Sequence, residues 1–412
     1  MIRRLVVLLG GALACREPAP VATTTDVVDS AGIQVVTSKA PAWGERAAWK
    51  VAGSATLTLG GVAGDSAFDF LGIVGAKRLT DGSLVVANGG NGELRWFSAS
   101  GKHLRTVGGR GTAAGKFAVL SSLYWLGDTL LAWDGRARSL SRFAPAGQLL
   151  RVDTLRLADT SRAFAALGVF ATGDLLAEAG VALELKDLQP GLVRPGRSLF
   201  RFGANGDADS VGVLPGEELY FSTQDGNAAI RAVPFGLGSR LSVLPDGYIT
   251  SEGDRRQLEE RDATGRLRRI IRWPGARLPL SRDDIDRQGR ALLGSASTGV
   301  QRARLDSAWR DVPKPDSLPA IIGLMPDPGS LAWARRGGHV GDAEAEWWVL
   351  ARDGAWLGTV KLPSAASPLD ISAEWIVLRT VDENRIERVE VRRLRRERMR
   401  GGSSKYAASC WR

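Results

Sequence analysis

A stretch of this chain returns 46 positions further on. Arg95-Trp-Phe-Ser-Ala-Ser-Gly101-Lys-His-Leu104-Arg105 is matched by Ser141-Arg-Phe143-Ala-Pro-Ala-Gly147-Gln-Leu-Leu150-Arg151. In the same register Ser83-Leu84-Val85-Val86 is matched by Thr129-Leu130-Leu131-Ala132. A second pattern marks the junctions between copies: Gly60-Gly61, Gly64, Phe70 and Leu79 recur as Gly108-Gly109, Gly111, Phe117 and Leu126. A period of this size is a repeat architecture, in which one unit cannot bury its own faces and stacks on its neighbours.

Each copy alternates apolar and polar residues at period two, with turn residues between short runs, which indicates antiparallel sheet. Weaker copies follow at 171–178 with 199–206, at 244–252 with 258–265, at 326–333 with 347–354, and at 375–378 with 388–391. Glycine, 50 of 412 residues, exceeds its usual share of about 7 % without a collagen period, as many tight turns require. Four strands per unit of about 45 residues is the signature of a propeller blade. The expected fold class is all-β: a six-bladed β-propeller spanning 33–396. The last unit has three strands of its own, and Thr56-Leu-Thr-Leu59 supplies the fourth, closing the ring. A mainly helical insertion at 274–317 separates blades four and five. Ser281 is placed to cap a helix with Asp283 and Asp284 in its first turn, and the glycines at 289, 294 and 299 favour two short helices over one long one.

The pattern Asp81-Gly82 before an apolar run, then Phe97, Gly101 and Gly108-Gly-x-Gly111-x5-Phe117, resembles NHL-type six-bladed propellers. It is similar to the NHL-like and TolB-like propeller superfamily, and within it to a secreted or lipid-anchored bacterial group named only for its six blades. The resemblance covers about residues 33–396. It implies the fold and no particular activity.

Residues 1–14 read as a signal peptide: Arg3-Arg4 precedes an apolar run, Leu5 to Ala14, too short to span a bilayer. Ala12-Leu13-Ala14 before Cys15 resembles a bacterial lipobox. The expectation is a lipid attached at Cys15, a tether over 15–32, a membrane partner reached through that anchor, an extracytoplasmic location and a C-terminal tail over 397–412. The mature chain then holds two cysteines, Cys15 and Cys410, and two histidines, His103 and His339, too few for a Cys/His metal site. Lys+Arg number 55 against 45 Asp+Glu, but the arginines are scattered among acids without a nucleic-acid motif, so no nucleic-acid partner is expected. The protein is expected to be monomeric and to carry no cofactor.

The long insertions, 178–197, 214–235, 274–317 and 335–345, all fall on second-to-third-strand or blade-to-blade links, which open on one face of a propeller. Binding residues concentrate on loops held by a rigid scaffold. That face carries excess arginine, and guanidinium forks suit carboxylates and phosphates. The candidate ligand face is Arg136, Arg255, Arg335, Arg336 and His339, for an unknown protein or a small anionic ligand. No catalytic, cofactor or metal residue is assigned. Second strands end in Asn88, Asp134, Glu178, Glu252, Arg335 and Asp382, a set resembling a hard-cation ring. The set is similar to that of propeller lactonases, and this resemblance implies the alternative function, a metal-dependent, lactonase-type propeller hydrolase. Arg335 interrupts that ring, and Asx turns consume such side chains. No Gly-x-Ser-x-Gly elbow accompanies either histidine, and the glycine runs join strand to strand, which a phosphate loop does not do. The expected function is a binding or protein-interaction module without a catalytic centre. Trp96, Trp125, Trp133, Trp333, Trp347, Trp348 and Trp375 are expected to pack between blades, with Trp309 in the insertion.

Overall fold

The computed structural model describes residues 24–44, 48–62, 64–160, 162–180, 188–204, 206–224 and 227–397. The signal peptide, Cys15, Cys410 and the tail from 398 lie outside the described residues.

Apolar runs in second strands organise the molecule. Leu84-Val85-Val86-Ala87 is buried throughout, and successive side chains point to opposite faces of a strand. Leu84 and Val86 join a cluster with Val377, Val389 and Val391, whereas Val85 and Ala87 join one with Leu130, Ala132 and Phe143. Leu131 and Trp133 turn the other way, toward Leu175, Ala177 and Phe202. Each second strand thus serves two interfaces, and the sheets stack face to face in a series. The tryptophans expected between blades lie in or against these clusters.

Sheets of four antiparallel strands recur along the chain. The first comprises Ile73–Arg78, Leu84–Asn88, Glu93–Phe97 and His103–Gly108; the second, Leu120–Leu126, Thr129–Asp134, Ser139–Phe143 and Leu149–Thr154. The third is Phe164–Val169, Leu175–Gly180, Gly196–Phe202 and Ala208–Pro215; the fourth, Arg240–Leu244, Gly247–Ser251, Gln257–Asp262 and Leu267–Arg272. The fifth is Ile321–Pro326, Ala332–Arg336, Glu344–Leu350 and Trp356–Pro363. The last, Ser367–Ile371, Trp375–Val381 and Glu387–Arg396, takes further strands from the N-terminal part, Leu57–Leu59 and Trp49–Val51. The first strand of the last sheet lies beside the first strand of the first sheet. This mostly-β arrangement is consistent with a β-propeller. First strands repeat a one-residue bulge that skips Val74, Ser121, Leu167, Ile322 and Leu369, a regularity that residue identities do not display.

The junction glycines have a steric cause. Gly108 sits at φ 98°, and a Cβ there would stand 2.7 Å from the Gly92 carbonyl and 3.1 Å from the buried Phe117 ring. Gly60 repeats this against Phe70 and the Glu387 carbonyl.

Part of the segment read as a tether is structured. Thr25–Ser30 pairs with Ile33–Ser38, which adds in parallel to Leu267–Arg272 of the fourth sheet. Ala42 and Trp43 N–H groups then donate to the Trp356 and Leu357 carbonyls of the fifth sheet, before the chain reaches the last. The N-terminal segment is a strap across three successive outer edges. It satisfies backbone groups that exposed edges would present to other chains.

Helices α1, Arg282–Gly294, and α2, Gly299–Asp311, occupy the insertion, and Ser281 and Asp284 form a reciprocal capping box. Trp309 packs on Gly289 of α1, so it joins the helices to each other. The insertions 178–197 and 214–235 meet in a small sheet of Gly191–Val193, Leu219–Gln224 and Asn227–Ala232.

Leu59 is 1 % exposed and packs among Ile73, Val389 and Val391. Leu59→Ala lowers the unfolding free energy by about 2–4 kcal/mol, read from the urea midpoint. Exposed Thr58→Ala on the same strand stays within about 0.5 kcal/mol. Equal midpoints for Leu59→Ala and the parent chain contradict this packing.

Candidate functional site

Two insertions remote in sequence meet through one buried carboxylate. Asp284, 2 % exposed, accepts from the Ser281 hydroxyl and N–H at 2.5 and 3.1 Å, from His339 Nδ1 at 2.8 Å and from the Val340 N–H at 2.7 Å. Burial opposes the charged form, but the hydrogen bonds from Ser281, His339 and Val340 outweigh it and hold the carboxyl well below the usual aspartate range. Arg287 of α1 adds a bond to the Val340 carbonyl at 2.9 Å. An ionised Asp284 keeps the His339 proton on Nδ1 and leaves Nε2 as the acceptor.

Beside this pair lies a cleft of about 180 Å³ lined by Arg335, Arg336, Gly337, Gly338, His339, Asp342 and Ser364, among others. Its arginines are not equivalent. Arg336 is spent on Glu346 at 2.6 Å. Arg335 donates from Nη2 to the Ser364 carbonyl at 3.1 Å, its Nε is buried without a partner, and among the described residues no carboxylate pairs with it. Burial pulls its pKa down, but a guanidinium stays charged. The acidic residues of the lining are themselves engaged. Asp342 accepts from the His339 N–H at 2.9 Å, Glu344 faces Lys361 at 3.3 Å, and Glu346 holds Arg336. Among the described residues, then, Arg335 has no carboxylate partner and Asp342 no cationic one, and both stand beside an oriented imidazole. The Arg335 guanidinium is the group of this lining suited to a small anion.

The candidate face from sequence is only partly assembled here. Arg335, Arg336 and His339 come together, whereas Arg136 and Arg255 do not line the cleft. Arg136 follows Asp134, which accepts from its N–H. Arg255 is 67 % exposed and pairs with Asp254 at 2.7 Å. Other arginines of that face are struts. Arg194 donates to the Gly216 and Glu252 carbonyls, Arg197 to Glu178 and the Ser239 carbonyl, and Arg256 stacks 4.4 Å over Trp348.

The ring at the ends of second strands is likewise consumed locally. Asn88 accepts from the Leu71 N–H, and Asp134 takes four backbone N–H groups, of Ala118, Val119, Arg136 and Ala137. Glu178 pairs with Arg197, Glu252 with Arg194, and Asp382 takes the Asn384 and Ile386 N–H groups and Arg388. These side chains tie blade-entry links and turns. His103 bonds Thr106 on an outer strand of the first sheet, apart from the cleft. The sequence marks Asp284 only as a helix-capping residue, because its partner lies 55 positions on with no local pattern joining them.

No protein-family model matches the chain, and no curated protein matches it. Among solved structures, a DUF4221-family member from Bacteroides vulgatus is similar at TM-score 0.48 and 9 % identity, covering 84 % of this chain and 99 % of that one. Virginiamycin B lyase from Staphylococcus aureus is similar at 0.40 and 12 %, covering 84 % and 99 %. A calcium-binding regucalcin from Agrobacterium tumefaciens is similar at 0.37 and 12 %, covering 81 % and 96 %. At this level of likeness, nothing of their chemistry transfers to the cleft.

A depressed carboxyl pKa gives stability that is full above the unfolded value, about 4, and is lost as pH falls through the folded value. Asp284→Asn therefore unfolds at lower urea than the parent chain near neutrality, and the difference narrows as pH falls below about 4. Parallel urea-midpoint profiles across that window contradict the assignment.

Proposed function

We propose that the chain is a six-bladed β-propeller, closed by Leu57–Leu59 against Glu387–Arg396, and that it works as an extracytoplasmic binding module for a small carboxylate- or phosphate-bearing ligand. The observation that carries this reading is Arg335, a half-buried guanidinium with no carboxylate partner among the described residues, lining the cleft beside His339. The Asp284–His339 pair adds an oriented imidazole whose Nε2 accepts a hydrogen bond from a hydroxyl of the ligand. The volume, below the range of about 300–1,000 Å³ usual for drug-sized ligands, suits one acid group with a short body. The anchor at Cys15 belongs to the same reading and would hold the cleft near a membrane surface.

Titration calorimetry with inorganic phosphate and a set of short mono- and dicarboxylates tests the cleft. Arg335→Gln is expected to weaken the best of these about 10–100-fold, and Arg255→Gln to leave it unchanged. Equal loss in both variants, or binding that survives Arg335→Gln, refutes the site.

The anchor has its own test. Cys15→Ser moves the protein from the membrane fraction to the soluble extract. Retention in the membrane fraction contradicts lipid attachment.

A further inference from the structure

A larger cleft, of about 520 Å³, lies where the N-terminal strap crosses the fifth sheet. Its walls include Trp43, Trp49 and Trp356. Trp43 and Trp49 stand 5.3 Å apart between ring centroids at 43°. Each ring is held. Trp43 lies on Gly358, where a Cβ would stand 2.3 Å from its Cε3. Trp49 has the Arg396 guanidinium 4.2 Å from its centroid, and Arg396 is fixed by buried Asp327 at 2.7 Å. Trp356 donates from Nε1 to the Gly358 carbonyl at 3.1 Å. Trp43 and Trp49 are only partly buried against the core, and no hydrogen bond engages either indole N–H among the described residues.

Among the described residues of the lining, Lys50 and Lys361 equal Glu344 and Glu346 in number; Lys361 is paired to Glu344, Glu346 to Arg336, and Lys50 is exposed. A cage for a cation needs aromatic faces with surplus negative charge, which these pairs do not leave. A single exposed lysine does not make the fork of donors that an anion site uses. What is present is preordered indole surface edged by polar donors and acceptors of both kinds. Amphipathic rings with C–H faces and peripheral hydroxyls match such a surface.

We infer that this cleft binds a neutral saccharide, its ring faces laid on Trp43 and Trp49 and its hydroxyls bonded by Glu344, Lys361, Thr359 and the free indole N–H groups. The site is independent of the anion cleft, although Glu344 and Glu346 wall both.

The probe is a panel of short neutral gluco-, manno- and N-acetylgluco-oligosaccharides, titrated into the full chain with tryptophan fluorescence and calorimetry as readouts. At least one is expected to bind. Trp43→Ala is expected to weaken it about tenfold or more, and Gly358→Ala, which displaces Trp43 without removing it, to weaken it as well. Arg335→Gln is expected to leave saccharide binding unchanged, which separates this site from the anion cleft. Urea midpoints show that each variant is folded. If Trp43→Ala unfolds the chain, protection of the indoles from acrylamide quenching by the saccharide in the parent chain decides. Absence of binding across the panel, tighter binding of tetramethylammonium than of any saccharide, or full affinity in folded Trp43→Ala overturns the proposal.

Discussion

The structure depends on burial of second strands on both faces. Leu84 and Val86 serve one interface and Val85 and Ala87 the next, so a stacked sheet has no inner and outer face in the ordinary sense. A strand buried on both sides reads as a continuous apolar run, and each run commits its sheet to two neighbours. Such sheets stack in series until the series meets itself. The contact between the first strands of the last and first sheets, and the pairing of Leu57–Leu59 with Val389–Val391, are where it does. The strap at Ile33–Ser38 and Ala42–Trp43 covers outer edges that this stacking leaves unpaired.

A scaffold held this way has spare links but few spare charges. Most arginines of the elaborated face are structural. Arg194 ties the links at Gly216 and Glu252, Arg197 joins the third sheet to the Ser239 carbonyl, and Arg256 lies on Trp348. Against that background Arg335 stands out because its charge is unmatched. A buried guanidinium N–H without an acceptor carries a desolvation cost, which the proposed anion would remove. Asp284 performs the complementary task. By accepting four hydrogen bonds it fixes the insertion to the loop carrying His339, so the imidazole is oriented before any ligand arrives.

Local regularities were legible in the sequence. Phe97 and Phe143, Gly101 and Gly147, and the Gly108…Phe117 junction all reflect sterics within one unit or between adjacent ones, and these fix the repeat. The helices were legible from the Ser281 cap and the glycines at 289, 294 and 299. Contacts between distant loops were not. The pairing of Leu192 with Tyr220, the Asp284–His339 bond and the seating of Trp43 on Gly358 depend on where the scaffold delivers each loop, and no periodicity carries that. Composition does not tell which arginines meet: the candidate ligand face includes Arg136 and Arg255, whereas this cleft is lined by Arg335, Arg336 and His339.

The chain has two histidines, which makes imidazole ¹⁵N NMR a direct probe of the central claim that a small anion docks at the Arg335–His339 cleft. A His103→Gln variant assigns the remaining signals to His339. The account predicts the Nδ1-protonated tautomer in the free protein, and a saturable shift of Nε2 when phosphate or a short carboxylate is added. A His339 that carries its proton on Nε2, or whose signals stay fixed through the titration, contradicts it.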